Sequence, residues 1–133
     1  DSQYYLDIIE KLSLKDRLVL ATDFIPNSEV ATYFCASDVV VQPYISATQS
    51  GVTQIAYNFD KPIITTNVGG LEEFVENEKV GFVVEPDKNQ IADSIYKFYI
   101  NNMEQDFILG VREEKKRFSW LEMTKSILNL LRI

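Results

Sequence analysis

Two strand-to-helix turns in quick succession constrain this chain more than any other feature. The first, Ile45-Ser46-Ala47-Thr48-Gln49-Ser50-Gly51, follows an apolar run that ends at Pro43-Tyr44 and leads into an apolar helical stretch. The second, Asn67-Val68-Gly69-Gly70, follows the run PIIT at 62–65. Turns of small, hydroxylated and glycine residues leave free backbone N–H groups at a helix N-terminus, where the positive end of the helix dipole also lies. With no bulky side chain to hold an anion off, the pattern suits phosphate. In an open parallel sheet such turns lie outside the carboxyl ends of the strands, where ligands collect. The N–H groups of Ser50 and Gly51 are the expected donors, with Gly69-Gly70 on the facing wall.

The rest of the chain alternates in kind. Tyr5, Ile8, Ile9 and Leu12 recur at helical spacing and predict an opening amphipathic helix. Residues 17–21 (RLVLA) read as a strand, and Pro26-Asn27-Ser28-Glu29 as a helix start with Asn27 or Ser28 as N-cap. Residues 38–42 (DVVVQ) are apolar at their centre, as expected of a strand covered on both faces. A helix over 51–59, a strand over 62–65, a short helix over 71–77 and a strand over 80–84 follow. Asp87 caps a helix whose Ile91, Ile95, Phe98 and Tyr99 face inward. Two helices near 104–117 and 119–131 close the chain, Ser119 and Glu122 forming a capping box. Strands alternating with helices predict an α/β fold, a Rossmann-like doubly wound parallel sheet with helices on both faces. No linker, repeat or low-complexity tract interrupts it, so residues 1–133 read as one domain.

Composition narrows the chemistry. The net charge is -7 and the basic residues cluster only at Lys115-Lys116-Arg117, which excludes a nucleic-acid partner. That triplet reads as the solvated face of a late helix. Zero histidines remove the Ser-His and Cys-His nucleophile arrangements and every His-ligated metal. Cys35 is alone, so it forms no disulfide or thiolate metal site within the chain, and it reads as a packed small hydrophobe. Glu72, Glu73, Glu76 and Glu78 lack the alternating spacing of a calcium loop and read as solvated. No cofactor and no metal is expected. Trp120 reads as a packing residue, and Tyr44 as the aromatic beside a nucleobase or sugar. No run approaches the roughly 20 apolar residues that cross a bilayer, and no signal peptide opens the chain, so a reducing, soluble, cytoplasmic setting is expected.

Several short motifs run in one order at matching spacing: Leu14-Lys15-Asp16-Arg17, the Pro26–Glu29 helix start, Ala36-Ser37-Asp38-Val39-Val40-Val41, Lys61-Pro62-Ile63-Ile64, Val68-Gly69-Gly70 with Glu73, Gly81-Phe82-Val83-Val84 and Phe118-Ser119-Trp120. Together they resemble the C-terminal half of a retaining, GT-B-fold glycosyltransferase of family four, the group 1 glycosyltransferases. The resemblance implies that the chain binds the nucleotide diphosphate of an activated sugar donor, for transfer of the sugar to an acceptor. It implies a site of Thr48, Gln49, Ser50, Gly51, Gln54, Gly69, Gly70 and Glu73, working without a divalent metal. Catalysis would rest on backbone N–H groups that stabilise the departing diphosphate. No residue here is identified as a general base.

Two departures from the family accompany the match. A glutamate pair eight residues apart, one near the donor sugar and one on the ribose hydroxyls, falls here on Ala47 and Ile55. Ser46, Thr48, Gln49 and Gln54 offer neutral polar groups nearby. The resemblance also begins partway into the domain, after two strands and a glycine-containing loop that carry a basic pair. The chain therefore reads as a fragment that lacks those strands and the N-terminal domain that binds the acceptor glycan or lipid, inactive by itself and prone to self-association. The family's usual setting is polysaccharide or glycolipid assembly at the cytoplasmic face of a membrane, with peripheral attachment of the full-length enzyme. The alternative reading is a non-catalytic nucleotide- or protein-binding module derived from a degenerate transferase. A nucleotide-sugar epimerase of the same architecture is disfavoured by the absence of histidine.

Overall fold

The computed structural model describes residues 2–131, which form two compact units, one ending at Val30 and the other beginning at Ala31. In the first, helix α1 (Ser2–Lys11) bears the expected amphipathic pattern and stops where Ser13 takes a left-handed φ of 53°. A single 3-10 turn, Lys15–Arg17, follows. The strand expected over 17–21 is not formed. Leu18 is extended (φ -125°, ψ 137°), but the segment pairs with no strand among the described residues. An extended backbone becomes a strand only when a neighbour takes up its N–H and C=O groups.

The second unit is the α/β layer. Helix α2 (Asn27–Ala36), whose first turn precedes Ala31, leads into strand β1 (Val40–Gln42), helix α3 (Gly51–Asn58), strand β2 (Ile63–Thr66), strand β3 (Gly81–Val84) and helices α4 (Lys88–Ile100), α5 (Glu104–Glu114) and α6 (Trp120–Leu131). The strands form a parallel sheet of order β1-β2-β3, with Val40 opposite Ile63 and Ile63 opposite Gly81. Three described strands replace the expected four. The central strand β2 is buried along its whole length, as β-branched side chains between two covered faces should be. The edge strand β1 is only half-buried until Gln42, short of the full cover expected for it.

Each face of the sheet has its own core. On one, Ala56 and Tyr57 of α3 pack with Ile63, Val75, Val80 and Val111. On the other, Phe98 of α4 packs with Ile64, Phe82 and Phe107. Helix α5 supplies Phe107 to one core and Val111 to the other, and fully burying each such side chain stabilises by about 1.5–3 kcal/mol. Gly110 lets α5 approach this closely, since a Cβ there would lie 2.0 Å from the Lys79 carbonyl oxygen.

Four further expectations are corrected. The helix over 71–77 is a single 3-10 turn, Leu71–Glu73. The Phe74 carbonyl that a longer helix would offer to Glu78 accepts instead from the Tyr57 hydroxyl, and the Glu78 N–H turns to Gly81 O at 2.8 Å. Tyr99 does not face inward. The buried stripe of α4 runs through Ile91, Ser94, Ile95 and Phe98, leaving Tyr99 exposed and donating to Asp38 Oδ2 at 3.2 Å. Cys35 and Trp120 are exposed, Trp120 at 79%, because no described element covers their faces of α2 and α6. The basic triplet lies at the surface as expected, where Lys115 pairs with Asp60 and Arg117 Nε with Glu114 Oε1 at 2.7 Å.

The caps divide. Asp87 Oδ1 accepts from the N–H groups of Asn89 and Gln90 at 3.0 Å, as its place before α4 requires. Ser119 makes half of its capping box. Its Oγ accepts from Glu122 N at 3.3 Å, while the Glu122 carboxylate turns outward to Lys125. No described helix is long and apolar enough to cross a membrane.

Candidate anion-binding crevice

The two turns meet at the carboxyl ends of β1 and β2. Gly69 adopts φ +57°, and a Cβ there would fall 1.7 Å from the Ala47 carbonyl oxygen. A Cβ on Gly70 would stand 3.3 Å from Thr48 O. Backbone therefore lies directly on backbone, which only glycine permits at position 69. The Glu73 carboxylate folds back over this contact, its Cδ 3.9 Å from where a Gly70 Cβ would sit.

Ser50 is the N-cap of α3, with extended φ -135° and ψ 117°, yet its side chain caps nothing. Its Oγ pairs with the Tyr44 hydroxyl at 3.2 Å. Tyr44 is itself anchored, its carbonyl accepting from Thr66 Oγ1 at 2.6 Å. Thr53 N makes the first, long bond of the helix, to Ser50 O at 3.3 Å. Among the described residues no carbonyl or side chain takes up the N–H groups of Ser50, Gly51 or Val52. Gly51 is exposed, and a Cβ there would meet no atom within 4 Å. The turn thus presents orphan donors beside open space, the local chemistry of an anion seat.

Of the residues singled out from sequence, Thr48, Ser50, Gly51, Gly69, Gly70 and Glu73 belong to these two touching turns. Gln49 is exposed between Thr48 and Ser50. Gln54 stands apart: it lines grooves with Tyr57, Lys115 and Lys116 and with Phe118, Ser119 and Glu122. Ala47 supplies the carbonyl against which Gly69 rests, and Ile55 is half-buried on α3. Sequence reasoning missed three participants. Arg117 donates to the Glu73 carbonyl at 2.9 Å, bringing a guanidinium beside the second turn. Gln42 and Thr66 end β1 and β2 as buried polar groups, a signal readable in the polar ends of VVVQ and IITT.

Comparison with known proteins agrees with this fold. The family model "Glycosyl transferases group 1" matches residues 2–101. A D-inositol 3-phosphate glycosyltransferase from Saccharomonospora viridis is 26% identical over 132 residues, 96% of this chain and 30% of the relative. A sucrose-phosphate synthase from Thermosynechococcus elongatus superposes with a TM-score of 0.81 at 25% identity, over 98% of this chain and 33% of that one. The parallel sheet with helices on both faces matches the Rossmann-like GT-B fold of that synthase. The chain spans about a third of the length of the relatives it matches. With the family match covering most of its residues, the chain belongs to the group 1 glycosyltransferases.

Proposed function

We propose that this chain binds the nucleotide diphosphate of a sugar donor in a glycosyltransferase, and that residues 1–133 form the donor-binding domain. The observation that carries the reading is the contact of Gly69-Gly70 on Ala47-Thr48 beside the uncapped first turn of α3. It places two sets of small-residue backbone at the ends of parallel strands, where this class of sheet collects ligands. The diphosphate sits on the N–H groups of Ser50 and Gly51, and charge building on it during sugar transfer is stabilised by these fixed dipoles. Glu73, beside Gly70, faces sugar hydroxyls rather than phosphate, since a carboxylate repels an anion and accepts from O–H groups. Thr48 and Gln49 supply neutral polar contacts to the same sugar.

The acceptor glycan or lipid is assigned to the two thirds of the relatives' length outside this match, and the setting to the cytoplasm, with peripheral attachment to a membrane. These residues alone then transfer no sugar. Calorimetric titration with UDP, GDP and ADP tests the reading. Binding of at least one, stronger than that of its nucleoside, is expected. Silence from all three would transfer the case to a non-catalytic module.

A further inference from the structure

Beneath the crevice lies a buried polar layer with two unpaired atoms. Gln42 closes β1 at 3% exposure, and Thr65 in β2 is 1% exposed. The two are register partners, so their side chains leave the same face of the parallel sheet. Thr53 Oγ1 donates to Gln42 Oε1 at 3.1 Å, which identifies that face as the one α3 covers. Gln42 Nε2 and Thr65 Oγ1, however, bond neither to each other nor to any other described group. Turning the amide over exchanges the roles of its two ends and leaves one of them unpaired all the same. Thr66, the next residue along, has its hydroxyl satisfied by Tyr44 O. Among the described residues, the unpaired atoms are therefore confined to the Gln42–Thr65 pair. Interiors rarely leave such groups unpaired, and ordered water is the usual partner where the protein supplies none.

We propose that Gln42 and Thr65 hold one internal water molecule, bonded to the Gln42 amide and to the Thr65 hydroxyl. Through Gln42 Oε1 and Thr53 this water ties the carboxyl ends of β1 and β2 to the first turn of α3. A water molecule can donate to or accept from either group, so it satisfies the pair in either amide orientation. The site stands whether or not the crevice above it takes a nucleotide.

Thr65→Val tests it by sign, because valine matches threonine in shape and removes only the hydroxyl. If the hydroxyl holds a water, the variant strands both the water and the Gln42 amide, and the thermal midpoint falls by a few degrees. If the hydroxyl is simply unpaired, its removal leaves the midpoint unchanged or raises it, which would overturn the proposal. Should the variant fail to fold, a high-resolution crystal structure of the unaltered chain decides. Density for an ordered water within hydrogen-bond reach of Gln42 Nε2 and Thr65 Oγ1 is expected. A direct amide–hydroxyl bond, or an empty gap, contradicts it.

Discussion

Gly51 and Gly69 are both small for the sake of close approach, but to different things, and their substitutions should separate. At Gly51 nothing in the protein meets an added Cβ, so Gly51→Val leaves the fold standing and intrudes only on the ligand's space. Nucleotide diphosphate binding should weaken at least about tenfold, some 1.4 kcal/mol, with nucleoside binding little changed. Calorimetry on both ligands checks this, and equal loss of both would assign the effect to folding. At Gly69 the added Cβ strikes Ala47 O and φ is left-handed, so Gly69→Ala should lower the urea midpoint outright. Tyr44 makes a subtler case. Its hydroxyl engages Ser50 Oγ, which would otherwise be free to cap α3. Tyr44→Phe should release Ser50 to cap, stabilise the helix by up to about 1 kcal/mol and weaken the diphosphate about fivefold. Adding Ser50→Ala to that variant should restore the affinity, and a variant pair without such coupling would sever Tyr44 from the site. The glycines and hydroxyls of the turns were legible in sequence because each has a local reason. Arg117 was not, because its partner, Glu73, lies far along the chain and is set by packing alone.

The elements divide by whether their ends are governed locally. Asp87 was readable as a cap because its partners stand two and three residues on, and Asp87→Ala should cost about 1 kcal/mol in urea unfolding. The helix over 71–77 closes after one 3-10 turn, where Phe74 N donates to Leu71 O at 3.1 Å, and the Phe74 carbonyl accepts from the Tyr57 hydroxyl, a partner on α3 that no local pattern reveals. Burial, and after it the charge of Glu114, pushes that hydroxyl's pKa upward, so it stays a donor across the working pH range. Asp60, where α3 turns into β2, is tied to α5 by Arg112 Nε at 2.8 Å and next to it by Lys115. Burial there raises its pKa, but hydrogen bonds from Lys115 and Arg112 outweigh it and hold the carboxyl below its usual range. A depressed folded-state pKa contributes stability present above the unfolded value and lost as pH falls through the folded one. Asp60→Asn should therefore reduce the acid sensitivity of unfolding below about pH 4, measurable as a flatter midpoint-against-pH curve. Helix α6 exposes Leu121, Met123, Ile127, Leu128, Leu130 and Leu131 along with Trp120. Contiguous apolar surface of this kind favours association, so the chain should elute above monomer size in gel filtration, more so with concentration.

For the whole molecule, the α/β class and the parallel sheet followed from alternation of strand and helix, and they hold. The strand count did not, because whether residues 17–21 become a strand depends on a hydrogen-bonding neighbour rather than on their own apolar composition. The candidate site was legible as two separate turns; that they touch required the structure, since Gly69 stands 22 positions after Ala47 and only the β1–β2 pairing brings them together. The central claim is that their backbone N–H groups seat a diphosphate. Amide chemical shifts measured by NMR during titration with a nucleoside diphosphate, and separately with the matching nucleoside, test it most directly. Large shifts at Ser50, Gly51 and Gly70 with the diphosphate, and small ones there with the nucleoside, are the predicted result. Diphosphate-induced shifts confined to other parts of the chain, with these amides unmoved, would contradict it.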